Sequence, residues 1–207
     1  MNAMSASILT DLRVSFIAVA DATFSFQGQL QRRLREIDRK ALNAQVLVKR
    51  HGKELAGYGV VAQSFREGAQ QLQEAAGAVQ HAIQPLMLGF METLRDTQQM
   101  EKLTSLPEDV RRLAPGLQES MRRHEHTLAT RREHSRRAST RLRQALNRFE
   151  GVVADLEYVV VNGRIEAALK GDAQAALTQV CTDMDHAVVQ VRDLLRVYAE
   201  HIEKVLP

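Results

Sequence analysis

Apolar and small residues recur along this chain in alternating steps of three and four. One run passes through Leu30, Leu34, Ile37, Ala41, Ala44 and Val48. A second takes Val61, Phe65, Gly68, Leu72, Ala75, Val79, Ala82, Leu86 and Phe90. A third takes Ala138, Leu142, Ala145, Phe149, Val152, Leu156 and Val159, and a fourth Leu177, Cys181, Met184, Val188, Val191, Leu195, Tyr198 and Ile202. A period of about 3.5 residues puts each run on one helix face and favours near-parallel packing with left-handed supercoiling.

The breaks between runs are marked by turn residues. Gly52, Gly57 and Gly59 signal one reversal, and Lys170-Gly171-Asp172 signals another. Ser105-Leu106-Pro107-Glu108 has the form of a helix start, with serine as N-cap and glutamate three positions on. Pro115-Gly116 interrupts the chain again and leaves 107–114 as a short helical turn. The predicted helices are 6–51, 57–104, 116–170 and 173–206, with Pro85 expected to kink the second. The expected fold is all-α: one elongated antiparallel four-helix bundle or coiled coil over 1–207. It is built from a first hairpin, 1–106 with its tip near 52–59, and a second, 116–207 with its tip near 171–173.

The two tips are versions of one another. Gly52 and Gly171 are separated by the same 119 residues as Asn43 and Asn162. An internal repeat lets two hairpins pack on each other within one chain, giving a pseudo-two-fold in place of a symmetric dimer.

Composition fits this picture. Aromatics make up 4%, with no tryptophan, and Gly and Pro are scarce at 11 and 4 residues, which is helix-forming rather than loop-rich usage. The lone Cys181 sits on the fourth seam and reads as a small buried hydrophobe, and a single cysteine excludes an internal disulfide. No window approaches a membrane span, and the first residues lack the basic, apolar and cleavage regions of a leader in order. A cytoplasmic protein is expected.

The tip residues resemble the signalling hairpin of bacterial methyl-accepting chemotaxis proteins. The first copy offers Ala41-Leu42-Asn43-Ala44, then Arg50 and Gly52, then Gly57-Tyr58-Gly59-Val60-Val61-Ala62 with Arg66 and Ala69. The second offers Val161-Asn162-Gly163-Arg164-Ile165-Glu166-Ala167-Ala168 and Gly171-Asp172. The resemblance implies a hairpin tip that binds the chemotaxis histidine kinase and its coupling protein, with signals carried as small shifts in helix packing. It points to Val46, Tyr58, Val61, Ile165 and Leu177 as apolar contacts. Asn43, Arg50, Glu54, Arg66, Asn162 and Glu166 are the polar ones, and Gly52, Gly57 and Gly171 shape the turns. The family's glutamate after isoleucine is kept as Glu166 but replaced by Leu47 in the first copy, and its second turn becomes Ala175-Ala176-Leu177. The chain therefore reads as a cytosolic receptor-like signalling protein, either a monomeric pseudo-dimer or a homo-oligomer. The alternative is a structural or scaffolding coiled coil without such partners.

Other chemistry is thinly represented. Residues 122–143 hold eight arginines against Glu125 and Glu133. Such a stripe could meet nucleic acid or anionic lipid, but a solvated helix face explains it more simply, and no aromatic is available for stacking on bases. His124, His126 and His134 lack the i, i+3 or i, i+4 spacing of metal ligands on one helix. No phosphate loop, nucleophile elbow or paired carboxylates are recognisable. A non-enzyme without cofactor or metal is expected, with nucleic acid disfavoured.

Overall fold

The computed structural model describes residues 2–169 and 174–205. It is all-α, with no strand among the described residues. Helix α1 spans Asn2–His51, a short 3-10 turn covers Gly52–Leu55, and α2 spans Ala56–Thr104. A short α3, Glu108–Leu113, precedes α4, Pro115–Ala168, and α5, Gln174–Val205. Gly52 adopts φ +57°, the left-handed conformation that glycine takes without steric cost, and this allows the first reversal. Of the three glycines at this turn only Gly52 needs that freedom, because Gly57 and Gly59 already belong to α2. The second reversal, including Gly171, lies outside the described residues.

One detail of the connection differs from the sequence reading. Ser105 does not cap α3: its hydroxyl donates back to the Lys102 carbonyl at 2.9 Å, and Pro107 occupies the N-cap position without a side-chain cap. The hydroxyl is captured by the closing turn of α2, which stands next to it. The break expected at Pro115-Gly116 is present: α3 ends before non-helical Ala114, and Pro115 opens α4, a position where its missing N–H costs nothing.

The chain divides into two compact units, each drawing on all four long helices. One comprises 1–23, 81–142 and 201–207, and the other 24–80 and 143–200. This division runs across both hairpins rather than between them.

In the second unit, α1 and α5 run antiparallel. Phe26 stacks on Tyr198, with ring centroids 4.1 Å apart and planes 10° from parallel, and Lys40 pairs with Asp183 at 3.3 Å. Helices α4 and α5 are antiparallel too, tied by Arg192–Glu157 at 2.9 Å and Arg164–Asp185 at 2.6 Å. Between α2 and α4 the approach is close. A β-carbon at Gly68 would fall 2.5 Å from Leu156 Cδ2, and one at Gly163 would fall 3.0 Å from Val61 Cγ1. Helices α1 and α2 are linked by Gln45 Nε2 donating to Gln63 Oε1 at 3.1 Å and Arg66 donating to Gln45 Oε1 at 2.9 Å.

Burial follows the predicted seams closely in α5, where all eight expected positions are buried. In α4 the seam shifts by one residue, to Leu142, Leu146, Phe149, Val153, Leu156 and Val160, in place of Ala145, Val152 and Val159. Likewise Ile83 replaces Ala82 in α2. At each of these steps two small or apolar neighbours compete for the core, and except at the two valine pairs the bulkier one takes it, since it removes more apolar area from water. Buried positions also recur at the 119-residue offset: Leu30 with Phe149, Ile37 with Leu156, Ala41 with Val160, Tyr58 with Leu177, Ala62 with Cys181, Phe65 with Met184 and Leu72 with Val191.

Candidate groove between the second and fourth helices

A groove of about 420 Å³ opens on the second unit, lined by Gly57, Val60, Val61 and Ser64 of α2 and by Val159, Asn162, Ile165 and Glu166 of α4. Helix geometry explains the lining. Residues 57, 60, 61 and 64 recur at three- and four-residue steps, as do 159, 162 and 166, so each set forms one ridge along its helix, with Val61 at the edge of the buried seam. Gly57 keeps the α2 wall low. A β-carbon there would lie 2.7 Å from Glu166 Oε2, so the glutamate carboxylate occupies the space a side chain would take. Val60 is 70% exposed and Ile165 57%, so the rim is apolar and open to solvent, with a carboxylate, an amide and a hydroxyl beside it.

Five of the residues singled out from the sequence meet in this groove: Gly57, Val61, Asn162, Ile165 and Glu166. The first two come from one copy of the repeat and the last three from the other. Val60, Ser64 and Val159 complete the lining without having been singled out. Val60 lies within the first copy's matched segment, Val159 was expected on the third seam and is half-buried instead, and nothing local distinguishes Ser64.

Three apolar residues expected to be contacts are instead core. Tyr58 and Leu177 are fully buried and Val61 is only 7% exposed, because each falls on its helix's heptad seam and faces the other helices. Only Val46 and Ile165 of that set face outward. Asn43, Arg50 and Arg66 are exposed on α1 and α2, and Arg66 is engaged by Gln45. The side chain of Glu54, like Gly171, is outside what is described.

Beneath the groove, the Tyr58 hydroxyl and the Cys181 thiol hydrogen-bond at 3.3 Å. Burial pushes both groups up from their ordinary values of 10.0 and 9.0, and each is also affected by the other. For Cys181 the Tyr58 hydrogen bond and Arg164 oppose the shift without reversing it. Both side chains therefore stay neutral in the folded protein to higher pH than in the unfolded chain. Stability from this pair is fully present below about pH 9 and declines as pH rises through and beyond the unfolded values, by about 1.4 kcal/mol per pH unit for each titrating group. Denaturant unfolding between pH 8 and 11 should show this alkaline loss, and Tyr58→Phe should flatten the tyrosine part of it.

The arginine stripe is partly neutralised. Arg122 and Arg123 reach Glu119, Arg137 reaches Glu133, and Arg131 reaches Glu92 and Asp96. His124 uses both ring nitrogens, against the Ser120 carbonyl at 3.1 Å and Gln99 Oε1 at 3.0 Å. Among the described residues no three His, Cys, Asp or Glu side chains converge as a metal site. Among them, too, no helix is long and apolar enough to cross a membrane. No family model matches the chain, and no curated protein or solved structure is detectably similar to it.

Proposed function

We propose that this chain is a chemoreceptor-like signalling protein whose α2–α4 groove docks on the chemotaxis histidine kinase or its coupling protein. The observation that carries this reading is the convergence of the matched residues. Gly57, Val60 and Val61 from the first copy and Asn162, Ile165 and Glu166 from the second line one surface. A structural coiled coil gives no reason for the two tip segments to share an open apolar rim around a carboxylate.

A second line of support is the agreement between the halves. Moving α1 onto α4 and α2 onto α5 by 119 residues carries the α2–α4 approach, with Gly57 beside Glu166, onto the register of the α1–α5 contacts Lys40–Asp183 and Phe26–Tyr198. One polypeptide thereby stands in for a pair of hairpins, a pseudo-two-fold four-helix arrangement. No catalytic role is assigned to it: the protein bridges or modulates, and it belongs in the compartment of its cytoplasmic partners.

Affinity capture with purified coupling protein and kinase tests the reading. Ile165→Asp puts a charge on an exposed rim position and is expected to weaken binding at least tenfold, about 1.4 kcal/mol, while helical content by circular dichroism stays constant. Gly57→Trp, which fills the groove, should do the same. Val61→Asp would report on folding instead, because Val61 is core. No capture of either partner by the unmodified chain at tens of micromolar would leave the structural coiled coil as the better account.

A further inference from the structure

Helix α4 is apolar on two opposite sides. One side carries its buried seam, through Val153, Leu156 and Val160. On the other, Ala154, Tyr158, Val161, Ile165 and Ala168 also follow steps of four and three, and all five are exposed. Tyr158 is 71% exposed and Val161 50%, so the large members of this outer stripe are far from covered. A helix that is apolar on both sides is ordinarily covered on both, and an exposed apolar patch of this extent marks a contact surface.

The stripe is complementary to itself when reversed. Let two copies of α4 lie antiparallel, with the two-fold axis passing between residues 159 and 160. Ile165 then meets Ala154 of the second copy, large against small, and Tyr158 meets Val161 of the second copy. The flanking charges agree with this direction. Glu157 and Arg164 border the stripe on one side, and antiparallel pairing sets Glu157 beside Arg164 of the second copy. Within the chain Glu157 is held by Arg192 at 2.9 Å and Arg164 by Asp185 at 2.6 Å, so the two pairs join as a row of alternating sign. Parallel pairing would instead set Glu150 beside Asp155, like against like, on both sides of the contact. The chain also contains its own comparison. Moved by 119 residues onto α1, the stripe reads Arg35, Arg39, Leu42, Val46 and Lys49, all exposed, and three cations among five positions repel a second copy of that face.

We infer that the protein forms a two-fold dimer in which the outer stripes of two α4 helices pack antiparallel. The contact is isologous, the same patch on both copies, so assembly closes at two. Four layers from one pair of helices make a small interface, and such contacts are reversible, with dissociation expected at tens of micromolar. Ile165 belongs both to the stripe and to the groove rim, but Tyr158 lines no part of the groove. Pairing is thereby separable from partner docking and does not depend on it.

Sedimentation equilibrium of the full chain tests the pairing, and disulfide trapping tests its direction. The mass is expected to rise with concentration from one copy to two and no further. Tyr158→Glu and Val161→Glu, both at exposed positions, should each weaken association at least tenfold with helical content unchanged, whereas Val46→Glu on α1 should leave it as it was. Oxidising a mixture of Ala154→Cys and Ile165→Cys proteins should link one to the other, because antiparallel packing makes these positions meet. Neither variant should link to itself, since like positions then lie about 16 Å apart along the axis, too far for a disulfide. The native Cys181 is buried and stays out of this reaction. A monomer at several hundred micromolar, growth beyond two copies, or self-linking of either cysteine variant would overturn the inference. So would a dimer that survives both glutamate substitutions or is lost with Val46→Glu. A dimer that captures neither chemotaxis protein would refute the docking reading and leave the pairing standing, and a monomer that captures one would do the reverse.

Discussion

Replacing Gly163 with leucine is expected to destabilise the protein by about 3 kcal/mol or more, the usual scale for overpacking a closed core. The reason is local and steric. A β-carbon at this position would sit 2.9 Å from Cys181 Sγ, 3.0 Å from Val61 Cγ1 and 3.5 Å from the Phe65 ring, so it is enclosed by α5 and α2 together. None of these neighbours can yield cheaply. Cysteine and valine have short side chains, and Phe65 is fully buried. Leucine adds three carbons beyond that crowded β-carbon. The gain in helix propensity over glycine, about 1 kcal/mol, is too small to offset this.

Gly151 provides the opposite case on the same helix. It is exposed, and nothing lies within 4 Å of a β-carbon there. Gly151→Ala should therefore stabilise by about 0.5–1 kcal/mol, through backbone entropy alone. Chemical denaturation of both variants reads the two signs. A Gly163→Leu protein as stable as the parent would show that α2, α4 and α5 do not approach as described. Because Gly163 adjoins Val61 and neighbours Asn162 in the chain, the same variant should lose groove binding as well, by displacing the groove's floor.

Much of this architecture could be read from the residues in order. The α5 seam was legible because each heptad position holds one unambiguous apolar residue flanked by polar ones. Where neighbours compete, as at Ala145-Leu146 and at the Val152-Val153 and Val159-Val160 pairs, periodicity alone cannot choose the register. Packing against α2 and α5 decides it there. The candidate site shows the same division. Gly57, Asn162, Ile165 and Glu166 were found through their motif, yet Tyr58, Val61 and Leu177 in the same motif proved to be core. A motif identifies positions along a helix, whereas its partner helices determine which of those positions face water. The ion pair between Lys40 and Asp183 was invisible in sequence, since the two residues meet only once α1 lies beside α5.

The first unit makes a different test, because its interior contains a charge. Asp96 is 6% exposed, and its Oδ2 lies 2.8 Å from Arg131 Nε, while Arg131 Nη1 lies 2.9 Å from Glu92 Oε2. These contacts are ionic, without hydrogen-bond alignment between Arg131 Nη1 and its carboxylate or at Asp96 Oδ2. The buried residues nearest to this pair in sequence are Phe90 on α2 and Ala138 and Ser139 on α4. Removing the arginine alone strands a desolvated carboxylate, whereas removing both charges leaves only apolar packing to be satisfied. Arg131→Met is therefore expected to cost about 3 kcal/mol, and the double variant Asp96→Leu, Arg131→Met to recover most of that loss. Glu92 is exposed enough to return to water in either protein. A thermodynamic cycle by denaturant titration measures the coupling. If Arg131→Met and the double variant were equally unstable, the arginine would be acting through its packing stem rather than its charge. Recovery in the double variant would instead mark the pair as a device that fixes how α2 and α4 align, retained despite adding little to stability.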